Sequence, residues 1–147
     1  MPTVQLRFGA LPAHVRTARL VAAAVARRSG VDDALIDEVK LAVGEACARA
    51  LALHQRHAPD QQVLVELQES TTDFVVTVRD VGPGDVVPTI PAARTADIPA
   101  LVESADIDDA SASTAPLQLA LISGLVDELT VDREGETTLV RMRWKLS

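Results

Sequence analysis

The chain has 147 residues, a formal net charge of −7, 48% hydrophobic residues and only 2% aromatic residues. This length is typical of one domain with one hydrophobic core, which we expect to span residues 1–147. The acidic balance argues against nucleic acid as a partner, because binding to phosphates needs a basic surface. No run of about 18 apolar residues occurs, so no membrane span is predicted. A lone Cys47 and an N-terminus unlike a signal peptide favour the cytoplasm.

The N-terminal half of the chain predicts a strand, two helices and two further strands. Apolar residues alternate with polar ones in the first strand and recur at helical spacing in both helices. Pro12 suits the first turn of a helix, where its missing N–H is not needed. The predicted elements are a strand at Val4–Phe8, a helix from Leu11–Pro12 to Ser29–Gly30, a helix from near Asp32–Asp33 to about Gln55, and strands at Gln62–Gln68 and Asp73–Arg79.

The C-terminal half begins with an irregular stretch, residues 85–116, rich in Pro, Ala, Asp and Ser. A segment this long without a regular pattern is typical of a functional lid or of disorder. A third helix is predicted at Leu117–Val126, and a hairpin at Leu129–Asp132 and Thr137–Trp144. Short turns between strand pairs predict a mostly antiparallel sheet. Three helices covering one face of it would make a two-layer α/β sandwich.

Glu45 and Arg49 are four positions apart, so they share one face of the second helix. A carboxylate beside a phosphate pocket can act as a general base for an attacking hydroxyl. An ordinary Glu–Arg pair on a solvated helix face explains the same spacing, and such pairs are common. The spacing by itself leaves both interpretations open.

The second candidate motif is Asp80-Val81-Gly82-Pro83-Gly84, a predicted turn directly after a strand. A carboxylate at a strand end can accept a hydrogen bond from an adenine amino group. Gly82 and Gly84 would allow the backbone to approach a ligand closely. A tight turn with no ligand is the alternative, because Gly-Pro-Gly forms good turns by itself.

Together these segments resemble the GHKL ATPase superfamily, and within it the RsbW/SpoIIAB-type anti-sigma factors that double as serine-protein kinases. The resemblance covers nearly the whole chain. Glu38–Ala50 is similar to the N box, Val78–Gly84 to the G1 box, Leu119–Leu129 to the helix after the ATP lid, and Gly135–Arg143 to the closing strand. Arg16–Arg19 looks like the first-helix segment that contacts partners in this family, with Arg19 on the partner-contacting Arg.

The resemblance implies a GHKL fold, ATP as the ligand, Glu45 as the base, and Asp80, Gly82 and Gly84 at the adenine. Two departures affect the phosphate half of the pocket. Arg49 stands where the family has a magnesium-binding Asn, and a guanidinium has no acceptor for a cation. It could contact phosphate directly, or pair with Glu45 and fill the pocket. Pro116-Leu117-Gln118-Leu119 replaces the usual Gly-Leu-Gly-Leu at the end of the lid.

We therefore predict a regulator that binds a sigma factor, an anti-anti-sigma factor, or both, with weak or lost kinase activity. One alternative is an active serine-protein kinase that uses Mg·ATP, and another is a nucleotide-free scaffold whose pocket is vestigial. A homodimer or heterocomplex is expected through Val4–Arg19, with Arg16 and Arg19 as contacts, although Arg16 can also be read as merely solvated. His14, His54 and His57 show no metal-ligand spacing, so no metal site is predicted.

Overall fold

The computed structural model describes residues 3–81 and 119–146. The irregular stretch predicted at 85–116, including its expected mobility at Val86–Thr114, lies outside these residues, as do Gly82, Gly84, Pro116 and Gln118. The elements are β1 (Thr3–Phe8), α1 (Pro12–Ser29), α2 (Asp33–His57), β2 (Val63–Glu69), β3 (Asp73–Val81), β4 (Glu128–Glu134) and β5 (Thr137–Lys145). Residues 119–123 form a further short helical segment.

The strands form one five-stranded sheet in the order β1-β2-β3-β5-β4. Each neighbouring pair is antiparallel. β3 lies at the centre, and β1 and β4 are the edges. With α1, α2 and the segment at 119–123, this confirms the predicted α+β sandwich with a largely antiparallel sheet.

The two long helices begin and end where local signals indicate. The Asp32 side chain accepts a hydrogen bond from the Ala34 N–H at 3.0 Å and so caps the start of α2. Gly30 ends α1 with a φ of 98°, a left-handed conformation that favours glycine. α1 buries mostly small residues, which allow it to lie close against α2; they are Ala18, Ala22, Ala23, Val25 and Ala26.

The hydrophobic core lies between the helices and the inner face of the sheet. Trp144 on β5 is 1% exposed, stacks near Phe74, and donates its indole N–H to the Leu125 carbonyl at 3.1 Å. Leu119 and Ile122 add the segment at 119–123 to the same core. With so few aromatic residues, most of the remaining core residues are Val, Ala, Leu and Ile.

Several predicted boundaries differ from the structure by one to three residues, and three of these differences have a local explanation. The third helix ends earlier than Val126, because the Leu125 N–H bonds to the Ile122 carbonyl and tightens the last turn. β4 runs to Glu134, leaving a short turn in which Gly135 adopts a φ of 61°. β3 continues through Asp80 to Val81, because Thr138 and Thr137 of β5 extend the ladder. Asp80 is thus in a strand and not in a turn.

Cys47 on α2 is fully buried, and burial raises the pKa of its thiol to about 12. Since the thiolate is the nucleophile, the native thiol should be unreactive at neutral pH. We expect a thiol reagent such as a chromogenic disulfide to label Cys47 only as fast as the protein opens, and rapidly in denaturant. Fast labelling of the folded protein would contradict this prediction. The labelling rate of Cys47 also shows whether variants of α2 remain folded.

Candidate functional site

Arg49 and Asp80 meet in the interior of the protein. Arg49 is on the inner face of α2 between the buried residues Ala46 and Ala50. Asp80 follows Val76 and Val78 at every second position of β3, so all three side chains face the helices. Nη1 of Arg49 donates to Oδ2 of Asp80 at 3.0 Å, and the two side chains are 5% and 2% exposed. The helix and the strand are thus joined by a buried ion pair.

The Arg49–Asp80 ion pair leaves one buried polar atom of the two side chains without a hydrogen bond to any described residue. Burial raises the pKa of Asp80, and the positive charge and the hydrogen bond of Arg49 partly oppose that shift. Within the described part of the chain, the buried Nε of Arg49 has no hydrogen-bond partner. A buried N–H without an acceptor carries a desolvation penalty. The unpaired Nε therefore offsets part of the stability that the ion pair contributes.

His54 holds the end of β3 next to this pair. Its Nε2 accepts the Val81 N–H at 2.8 Å, and its Nδ1 lies 2.9 Å from the Gln61 carbonyl. Because Nε2 accepts, the ring proton is on Nδ1 and is donated to Gln61. The sequence analysis did not assign a site role to His54. The available signal was its spacing of four from Ala50, which places it on the buried side of α2.

Glu45, the predicted base, is one turn before Arg49 on α2 and is partly exposed. It engages another group of the protein. For Arg49, the sequence left open a phosphate contact or a pair with Glu45, and the structure instead places it against Asp80. Among residues 3–81 and 119–146, no cluster of three or more His, Cys, Asp or Glu residues could hold a metal ion. None of the helices in that part is long and apolar enough to cross a membrane.

Arg16 and Arg19 lie at the surface of α1, apart from the buried ion pair. Both are exposed, and they line a groove of about 420 Å³ between α1 and α2. We call this the α1–α2 groove; its lining residues are Pro12, Val15, Arg16, Arg19, Leu20 and Lys40. Leu20 is 55% exposed, and Leu11 and Leu41 are also exposed large apolar residues. The groove thus combines three cationic side chains with apolar surface.

Gly44 on α2 makes room for Arg19. A Cβ at Gly44 would lie 2.8 Å from Cδ of Arg19 and 3.2 Å from its Nε. The Arg19 side chain therefore lies directly over the glycine, and its direction in the α1–α2 groove depends on the missing Cβ. This contact explains a glycine in the interior of a helix, where it is otherwise unfavourable.

We expect Gly44→Ala to separate stability from partner binding. Alanine is favoured over glycine in a helix interior by about 1 kcal/mol, and the displaced atoms belong to a flexible side chain. The free energy of unfolding should therefore stay level or rise, while Arg19 changes position. Urea denaturation measures the first effect. A large loss of stability would show that the backbones of α1 and α2, and not the Arg19 side chain, need this glycine.

Comparison with protein families identifies the class of protein. Residues 8–144 match the model of the histidine kinase-like ATPase domain. The match covers most of the chain, so the chain belongs to this family. The resemblance to RsbW-like GHKL ATPases is thereby confirmed at the level of the ATPase domain.

A solved structure shows the same fold. A chain in the crystal structure of the SiaB–SiaC complex from Pseudomonas aeruginosa is similar with a TM-score of 0.53 and 8% identity. The similarity covers 97% of this chain and 89% of that one. At that identity the likeness concerns the fold alone. A comparison with curated proteins gave no match in sequence.

Membership of an ATPase family implies ATP binding, and in this family's pocket the resemblance places Asp80 at the adenine. An adenine amino group needs a carboxylate oxygen that is open to the ligand. Asp80, which the resemblance assigns to adenine, is 2% exposed and already accepts a hydrogen bond from Arg49. In this arrangement the described residues do not fit adenine.

Proposed function

We infer that this chain is a partner-switching regulator of the RsbW type. It binds a sigma factor, an anti-anti-sigma factor, or both, and its kinase activity is weak or lost. The observation that carries the proposal is the α1–α2 groove, where Arg16, Arg19 and Lys40 surround exposed apolar surface. This groove includes the first-helix segment for which the resemblance implies partner binding.

Charge supports a protein partner at this place. The chain as a whole has a net charge of −7, yet the groove is lined by three cations and by no acidic residue. A partner segment with carboxylates and an apolar side chain would complement both features, and opposite charges speed the encounter. The solved chain with a similar fold comes from a complex of SiaB with SiaC. That is consistent with a protein partner for this chain.

The buried position of Arg49 supports reduced kinase chemistry. Phosphoryl transfer in nucleotide-binding folds depends on a metal ion that neutralises charge on the phosphates. The Arg49 guanidinium offers only donors, so it cannot replace a metal-binding amide oxygen. Glu45 remains the residue that would act as base if transfer occurred.

The edge of the sheet supports assembly through the N-terminal region. β1 pairs only with β2 among the described strands, so its other edge is available for pairing with another chain. A homodimer or heterocomplex through Val4–Arg19 would use this edge together with α1.

Affinity capture from cells of the source organism tests the proposed function. The tagged full chain should retain a sigma factor or an anti-anti-sigma factor, identified by mass spectrometry. The captured partner is then incubated with the chain and radiolabelled Mg·ATP, and little label should appear on any partner Ser. Strong phosphorylation that is lost in Glu45→Ala would establish the kinase alternative. Capture of neither class of partner would contradict the regulator.

A further inference from the structure

We propose that Arg49 closes the adenine end of the pocket from within, by occupying the carboxylate that an adenine amino group would need. The inference rests on the proposed function and specifies how its nucleotide site works. In this chain Arg49 is not merely a missing magnesium ligand at the phosphate end. It is an intramolecular competitor of adenine at Asp80, which makes it the residue that excludes adenine nucleotides.

The Asp80 carboxylate already has a hydrogen-bond donor in Arg49. Nη1 of Arg49 lies 3.0 Å from Oδ2 of Asp80, and both side chains are almost fully buried. The Arg49 guanidinium adds to its hydrogen bond a Coulomb attraction to the Asp80 carboxylate, which a neutral adenine amino group cannot supply. Arg49 also belongs to the same chain as Asp80, so its effective concentration at the carboxylate exceeds that of a free nucleotide.

Displacement of Arg49 by adenine would leave a charge without a partner. The guanidinium would have to stay buried without its carboxylate or move out to solvent, and an unpaired buried charge is strongly unfavourable. Adenine is neutral and cannot compensate for it. His54 adds to the barrier because its bond to the Val81 N–H holds the end of β3 and keeps Asp80 directed inward.

The unpaired Nε of Arg49 argues that this pair is not there for stability alone. Well-packed apolar residues at such positions are often as stable as a buried ion pair. The resemblance assigns Asp80 to adenine. An incomplete ion pair at this position is therefore better explained by exclusion of adenine than by a gain in stability.

Adenosine distinguishes this proposal from the loss of a metal ligand. Adenosine has no phosphate and needs no Mg²⁺, so a defect confined to the metal site would leave its binding intact. Closure by Arg49 excludes adenosine and ADP alike, with or without Mg²⁺. Adenosine also avoids dependence on the altered lid sequence at Pro116–Leu119.

The test is a titration of the full chain with adenosine and with ADP, followed by amide chemical shifts and calorimetry. We expect no binding to the unmodified protein at millimolar adenosine. Arg49→Ala and Arg49→Asn should bind adenosine at least tenfold more tightly, independently of Mg²⁺, with shifts near Val81. Adding Asp80→Asn to Arg49→Ala should remove that gain. Guanosine serves as the ligand control.

Arg49→Lys is the matched control variant, because it keeps a cation opposite Asp80 and should stay closed to adenosine. Cys47 labelling shows which variants are folded. Micromolar binding of adenosine or ADP by the unmodified protein would overturn the proposal whatever the variants do. So would a folded Arg49→Ala or Arg49→Asn that still excludes adenosine. Either result leaves partner capture by the α1–α2 groove unaffected, so the two proposals fail separately.

Discussion

Asp80→Ala is expected to lower the free energy of unfolding by about 3–5 kcal/mol, because it leaves the Arg49 guanidinium buried without a counter-charge. Arg49 is 5% exposed, so water cannot replace the lost carboxylate without a rearrangement. Urea denaturation followed by circular dichroism measures the change.

A double-mutant cycle shows that the loss comes from this pair. Arg49→Met should cost less than Asp80→Ala, because burial already raises the pKa of Asp80 and the carboxyl can take up a proton. Asp80→Ala combined with Arg49→Met should be more stable than the sum of the two single changes predicts. The two residues act independently if the cycle closes to zero.

The Arg28–Glu69 pair is a matched control, because it is also an Arg–carboxylate pair but Arg28 is 60% exposed. Glu69→Ala should change stability by less than about 1 kcal/mol, since exposed pairs contribute little. If Asp80→Ala costs no more than Glu69→Ala, the interior of the pocket is open to water and the closed arrangement is wrong.

Arg19→Glu is expected to weaken partner binding at least tenfold, about 1.4 kcal/mol. The change reverses the charge of a side chain that lines the α1–α2 groove and lies over Gly44. An acidic partner segment would then meet like charge at the contact. Calorimetry or surface plasmon resonance with the captured partner measures the affinity.

Arg27→Glu is the control for this experiment. Arg27 is also exposed on α1 but does not line the groove, so the same change of net charge should leave the affinity within about twofold of the unmodified protein. Equal losses in both variants would indicate a general charge effect. Unchanged binding by a folded Arg19→Glu protein would move the interface to another surface.

Closure of the pocket would change how partners are exchanged. Phosphorylation of a partner Ser would need Mg·ATP. If Arg49 excludes adenine as proposed, that step is lost, and the relative affinities and concentrations of the partners decide which one is bound. The two proposals together thus describe partner switching that is controlled by competition.

Local patterns in the sequence were sufficient for the fold. Alternation in Val63–Leu67, the helical spacing of apolar residues and the signals at Pro12, Gly30 and Asp32 each act over a few residues. They determined the elements, their order and the antiparallel sheet, which the structure confirms. The resemblance to a known family, and not the local patterns, marked Asp80 as a match and Arg49 as a departure in a nucleotide-type pocket.

The partner of Arg49 was decided only by tertiary structure. Sequence spacing brought Arg49 near Glu45, four positions away, whereas Asp80 is 31 positions away. β5 extended β3 to include Asp80 and turned that carboxylate towards α2, and no local signal reports such a pairing. His54 gained its role in the same way, from a strand end that the chain reaches 27 residues later. A buried guanidinium needs a counter-charge, and which carboxylate pairs with it depends on the faces of helix and sheet that meet in the fold.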